Sequence, residues 1–436
     1  MHALTAVRRE IKSRDSASRS KYLREFTTAF RSCDATLTPK ELDRRLSAAD
    51  IVLVGDYHAL PASQRFAATL VEQLAAERPV VLGVEAALSR DQQILDLWWQ
   101  RNIREDDLRK RLRFDREWGY EWAPFYELLI MARERAEAIY GLDCLPRHDM
   151  RRIRSRDRHA AGKICEMRAR HPNAALVVLF GESHMAPEHL PRLIKQAMPA
   201  ERTLTVLQNI DALYWKAADH QAQAVSLGPD TACIFNSTPL EKYESYRLCL
   251  EKWHNDDTPD FAPAIHNLIL SLARSLGFRT DSPRNGTQPK QLADSLPEVV
   301  HVGEGEAHTL DRLTVKDRGA LEERGCVFTP QSNTFYIREF KMASAASECA
   351  RFLHCACKGR TRDCATDDFE DILAYFGARL LCPGNLNEDW SRHADAEALY
   401  DGYLAGRVSK AALRRMFLAR GEQLPLAENL QPAARS

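Results

Sequence analysis

Residues 176–185 read LVVLFGESHM, and residues 51–58 read IVLVGDYH. In each, an apolar run meets a glycine, an acid, one further residue and a histidine. The runs do not alternate with polar residues, so neither suits a sheet with one wet face. Each reads as a central strand of a parallel sheet covered on both faces. Four further runs have the same character: VVLGVE (80–85), AIYGLD (138–143), TLTVLQN (203–209) and CIFN (233–236). Between several of them, apolar residues recur at helical spacing. PASQRFAATLVEQLAAE carries Phe66, Leu70, Val71 and Leu74; WAPFYELLIMARERAEA carries Phe125, Leu128, Leu129 and Ala132. Strand, helix, strand is the grammar of βαβ units. The expected fold class is α/β, a mostly parallel sheet flanked by helices, with a C-terminal α+β extension. The expected boundaries are a charged helical arm over 1–45, the α/β domain over 46–255, and a mixed helical and small-β region over 256–436. In the arm, TPKELDRRLSAAD predicts a surface helix that starts near Thr38 or Pro39.

Open α/β sheets bind ligands beyond the carboxyl ends of their strands. Asp56 and His58 follow the first run, Glu85 ends the second, Asp143 the third, and Glu182 and His184 follow the fourth. Asn209 and Asn236 close the last two. In a parallel sheet these groups face one crevice. Two imidazoles and a carboxylate, His58, His184 and Glu85, make a cage for a divalent metal ion such as zinc or manganese. Glu85 then ligates the ion or polarises water, and Glu182 is placed to shuttle a proton. His184 is expected to matter more than His58, with Glu182 reaching across the loop to orient its imidazole.

Taken together, these pieces resemble the haem-binding uptake family related to the ChaN lipoprotein, in a superfamily with the Tiki proteases, TraB proteins and erythromycin esterases. The matching residues are Gly55-Asp56-Tyr57-His58, Gly83-Val84-Glu85, WGYEWAPFYELLIMARERAEAIYGLD (118–143) and Gly181-Glu182-Ser183-His184. The first motif has Asp56 where the family commonly has Glu. The resemblance spans roughly 46–215. It implies that His58, His184 and Glu85 form the active or metal site, and that haem is an alternative ligand. For haem, the axial ligand is expected among Tyr57, Tyr120 and the histidines, with Arg147 and Arg151 on the propionates. The arginines lie in PRHDMRRIRSRDRH (146–159), which also reads as a solvated helix face laced with ion pairs. Trp98 and Trp99 read as core; Tyr120 and Trp122 suit either core or a pocket wall.

The 61 Lys and Arg balance 61 Asp and Glu, which weighs against general nucleic-acid binding. No run of eighteen apolar residues predicts a membrane span. The N-terminal stretch has no apolar signal region, and the 11 cysteines are expected as reduced thiols in a cytoplasmic protein. Cys349, Cys355, Cys357 and Cys364 cluster beside His354 and suggest a second, structural metal site. Against that, SAASECARFLHCA (344–356) reads as one helix, on which Cys349 and Cys355 do not share a face. His308 reads as structural. The leading expectation is a metal-dependent hydrolase acting on a small-molecule or peptide ligand. The alternatives are a non-catalytic haem binder and a scaffold with an unused crevice.

Overall fold

The structure is a computed structural model that describes residues 2–14, 21–147, 153–219, 222–254, 260–278, 296–303, 310, 313–358, 368–381 and 394–418. These pack as two compact units, Lys12–Tyr246 and Met1–Ile11 with Arg247–Ser436. Arg151, His308 and Cys364 lie outside the described residues.

The first unit is built on an eight-stranded sheet. Its strands are β1 (Ala35–Leu37), β2 (Ile51–Asp56), β3 (Val80–Leu88), β4 (Ala138–Asp143), β5 (Ala175–Gly181), β6 (Thr203–Gln208), β7 (Ala224–Ser226) and β8 (Thr231–Ile234). The spatial order is β1-β7-β8-β6-β2-β5-β3-β4. The six strands expected from the sequence pair with one another in parallel, as βαβ crossovers require. The two unforeseen strands, β1 and β7, close one edge in antiparallel fashion. β2 and β5 are buried along their whole length because helices cover both faces. Val52, Val54, Val177 and Leu179 enter one apolar cluster; Ile51, Leu53, Leu176, Val178 and Phe180 enter the other. Burying each such side chain stabilises the sheet by about 1.5–3 kcal/mol. That two-sided burial is the reason these runs do not alternate.

The predicted surface helix is Pro39–Ala48, capped by Thr38 in a reciprocal capping box with Glu41. The helices Pro61–Ala75 and Trp122–Arg135 bear out the periodic stretches. Trp98 and Trp122 are core residues.

β3 departs from expectation. It runs to Leu88 instead of ending at Glu85, and its register against β4 shifts between Val84 and Leu88. Gly141 sits opposite this bulge: a Cβ there would stand 2.7 Å from the Leu88 carbonyl oxygen and 3.0 Å from that of Ala87. Only glycine lets the two backbones approach so closely.

The other unit has the expected small β part, β9 (Glu298–His301), β10 (Cys326–Thr329) and β11 (Thr334–Ile337), in the order β10-β11-β9. Helices Ala262–Ser275, Met342–Lys358, Asp368–Leu381, Ala394–Leu404 and Lys410–Leu418 accompany it.

Candidate functional site

β2, β5 and β3 are adjacent, so the residues at or beyond their carboxyl ends meet. His58 Nε2 lies 3.7 Å from one Glu85 oxygen, and His184 Nε2 lies 3.8 Å from the other. The structure thus brings both histidines and the glutamate together. Gly181 faces the same space. A Cβ on it would come 3.0 Å from Glu85 Oε2, 3.1 Å from His58 Nε2 and 3.2 Å from His184 Cδ2. The three side chains thus converge on a face of the chain that carries only hydrogen.

Each imidazole is held from behind by a carboxylate. His58 Nδ1 is 2.8 Å from Asp56 Oδ2, and Gln64 fixes the other Asp56 oxygen. His184 Nδ1 bonds Asp157, on the helix Ile153–Arg170. Tyr22, from the helix Lys21–Ala29, donates to Asp157 at 2.9 Å and stands 3.0 Å from His184 Nδ1. Glu182 does not orient His184, contrary to expectation. It pairs instead with the buried Lys242 at 2.7 Å, and burial raises its pKa despite that partner. Asp157 does the orienting because its helix runs beside the strand ends, whereas the chain after β5 turns Glu182 away.

Glu85 is buried and accepts from Arg156 and from the Gly181 N–H. Burial alone would raise its pKa, but His58, Arg156, His184 and the Gly181 amide lower it to about 2. Arg156 also forks onto Asp143. His58 is pulled down by burial, yet Asp56 and Glu85 outweigh this and leave its pKa raised. Four acids, Asp56, Glu85, Asp143 and Asp157, face two guanidiniums, Arg147 and Arg156. Asp56 and Asp157 meet imidazoles rather than guanidiniums.

Arg147 is part of the scaffold. Its Nε bonds Asp143, its Nη1 bonds the Glu117 carbonyl, and its Nη2 bonds the carbonyls of Glu85 and Ala86 that the β3 bulge frees. The guanidinium also stacks 4.8 Å from the Trp118 ring. It has little left to offer a propionate.

Trp118 and Tyr120 pack on His58, at 4.3 and 5.2 Å between ring centroids. Tyr57 is half-buried beneath Lys242, 4.5 Å from its ring centroid, and burial raises its pKa. A small cavity opens between Asp56, His58, Glu85, Trp118 and Phe125, with about 10 Å³ of room. That suits about one water and is far below the roughly 300 Å³ at which ligand pockets begin.

A metal ion fits this donor set poorly. Two donors bound at about 2.1 Å to one ion stand about 3.0–3.4 Å apart, closer than the gaps seen between Glu85 and either imidazole. Both Glu85 oxygens are also already engaged. Among the described residues, no three of His, Cys, Asp and Glu stand so as to hold a metal ion. Cys349, Cys355 and Cys357 lie on one helix, and the Cys349 thiol meets the Ile265 carbonyl at 3.8 Å.

Sequence reasoning missed Asp157, Arg156, Lys242 and Tyr22. Asp157 and Arg156 were hidden within a charge run. Tyr22 carried a faint signal, since Tyr22 and Phe26 are apolar positions one turn apart in a charged stretch.

No helix of the described residues is long and apolar enough to cross a membrane. The family model described as "Haem-binding uptake, Tiki superfamily, ChaN" matches residues 42–173. That span includes His58, Glu85, Asp143, Arg156 and Asp157, and stops before His184. One similar solved structure is described as "Cofacial heme binding to ChaN of Campylobacter jejuni". It is 15% identical, with 40% of this chain and 86% of that chain covered, at a TM-score of 0.30. Another is described as "The structure of the type III effector HopBA1", 12% identical, with coverage of 47% and 96% and a TM-score of 0.35. No curated protein matches. Over residues 42–173, then, the chain is distantly related to the haem-binding uptake family of the Tiki superfamily.

Proposed function

We propose that the crevice is a hydrolytic centre that activates water by acid–base chemistry, without a metal ion in the reacting set. The observation that carries this reading is the convergence of His58, Glu85 and His184 on the Cβ-less face of Gly181. The adjoining cavity, lined by His58 and Glu85, has room for about one water. His58 takes its proton at Nε2 while Asp56 steadies the imidazolium from Nδ1. Glu85, kept anionic by its cationic neighbours, steadies the positive charge that forms on His58. As the water oxygen bonds the acyl carbon, His58 passes that proton on to the departing group and ends neutral as it began, while His184, held by Asp157, closes the far side of Glu85. Trp118 and Tyr120 offer a flat wall for an ester, lactone or peptide substrate. The haem reading draws on the family description, and no feature of the crevice favours it.

The test is an ester, lactone and peptide panel run on carefully purified protein, with elemental analysis of the same sample. Turnover without bound metal, insensitive to chelation and lowered about 10²- to 10⁴-fold in His58→Ala, is expected. Turnover that appears only with an added divalent ion, or none on any substrate class, would overturn the reading.

A further inference from the structure

Beyond the crevice, the Lys12–Tyr246 unit carries a second and larger cavity. It is an open groove of about 750 Å³ lined by Lys21, Arg24, Glu25, Arg154, Glu188 and Arg192, with Ala29, Ala186 and Pro187 supplying apolar surface. Four cations therefore face two carboxylates across an opening of ligand size. Glu25 is heavily shared: it lies 2.9 Å from Arg154, 2.9 Å from His189 and 3.8 Å from Lys21. The hydrogen bond from His189 leads in holding its pKa low. Glu188 meets only Arg192, at 3.5 Å, and Arg24 has no ion-pair partner among the described residues. The rim is thus two negative charges short, beside apolar surface that an apolar body can cover.

We propose that this groove binds a small amphipathic anion, a carboxylate or phosphate carrying an apolar chain or ring. Arg24 and Arg192 grip the anionic head, and Arg154 and Lys21 join when Glu25 yields them. The lining holds no His, Tyr, Met or Cys among the described residues, so it offers no axial ligand to an iron porphyrin. The groove is also wired to the crevice. Glu25 bonds His189, whose ring stacks on Tyr22 at 3.7 Å, and Tyr22 bonds Asp157 and His184 Nδ1. An anion that competes for the partners of Glu25 acts on the residues that bracket His184. This regulatory link rests on the hydrolytic reading, whereas the binding itself does not.

The experiment is calorimetric titration of the full chain with octyl phosphate, octanoate, inorganic phosphate and octanol, each below its aggregation limit. Octyl phosphate and octanoate should bind, with inorganic phosphate and octanol at least about tenfold weaker. The exposed pair Arg24→Ala with Arg192→Ala should weaken octyl phosphate at least about tenfold at an unchanged melting temperature. Glu25→Gln should tighten it, because Arg154 and Lys21 are released. Equal binding of octanol, undiminished affinity in the double variant, or weaker binding in Glu25→Gln would overturn the proposal. None of these readings needs turnover, so a failed groove and a failed hydrolytic centre are told apart.

Discussion

At the scale of single residues, the site depends on what is absent from Gly181 as much as on what the histidines supply. Gly181→Ala places a methyl group 3.0–3.2 Å from Glu85, His58 and His184. Overpacking of this kind costs about 1–3 kcal/mol, and here it also fills the reacting space. Gly83→Ala is the overpacking control, since its Cβ would press Leu142 Cδ1 at 2.7 Å and Met167 Cε at 3.1 Å instead of the site residues. Similar losses of melting temperature are expected from both, with turnover lost only in Gly181→Ala; equal turnover in the two would remove Gly181 from the site. The histidine brackets allow a second prediction. Asp56 is a leading cause of the raised His58 pKa, through its charge and its hydrogen bond. Asp56→Asn should move the His58 midpoint, followed by proton NMR titration, downward from above 6.5; an upward or null shift would count against the bracket. Tyr22→Phe gives a third. It keeps the stack on His189 and removes the hydroxyl shared by Asp157 and His184. The Nδ1–H resonance of His184 should move or broaden while the fold persists, and an unaltered resonance would show that Tyr22 plays no part in holding that ring.

At the scale of elements, the β3 bulge aims the site. It carries Glu85 out of register with β4 and leaves the Glu85 and Ala86 carbonyls to Arg147 Nη2. Arg147→Lys keeps the charge but loses the planar fork, so it should destabilise by about 3 kcal/mol in urea unfolding. A loss within about 0.5 kcal/mol would show that the bulge holds without it. The bulge also marks where the sequence stopped being legible. β2 and β5 could be read because burial on both faces leaves a run that does not alternate, and their strand ends then brought His58 and His184 together. The Glu85 position followed from the same logic, but the bulge did not, since an irregular backbone has no period. β1 and β7, each 3 residues long, are too short to show a pattern. Glu182 misled because proximity in sequence suggested a bond to His184, while Lys242, 60 residues away, took its carboxylate. Tyr22 and His184 are 162 residues apart, and no local rule spans that separation.

At the scale of the whole molecule, the crevice is a buried electrostatic assembly, and its contribution to stability must follow pH. Glu85 is held near pKa 2 against an ordinary 4.5, so its contribution is complete above about 4.5 and is lost as pH falls toward 2. His58 is raised, so its contribution is complete below about 6.5 and fades as pH climbs through the folded value. Both shifts describe partly the same imidazole–carboxylate attraction and are counted once. Stability from this cluster should therefore be greatest between about pH 4.5 and 6.5, which is more acidic than a buried histidine site without carboxylates would favour. The Glu85 shift corresponds to a contribution on the order of 3 kcal/mol. Glu85→Gln isolates it, because the amide cannot ionise and leaves Arg156 with Asp143 alone. Unfolding curves of the two proteins from pH 2.5 to 8 should be widest apart near pH 5 to 6 and converge toward pH 2.5. Curves separated by a constant gap from pH 5 down to 2.5 would mean that Glu85 acts through packing alone, and the charge balance drawn for the crevice would then be wrong.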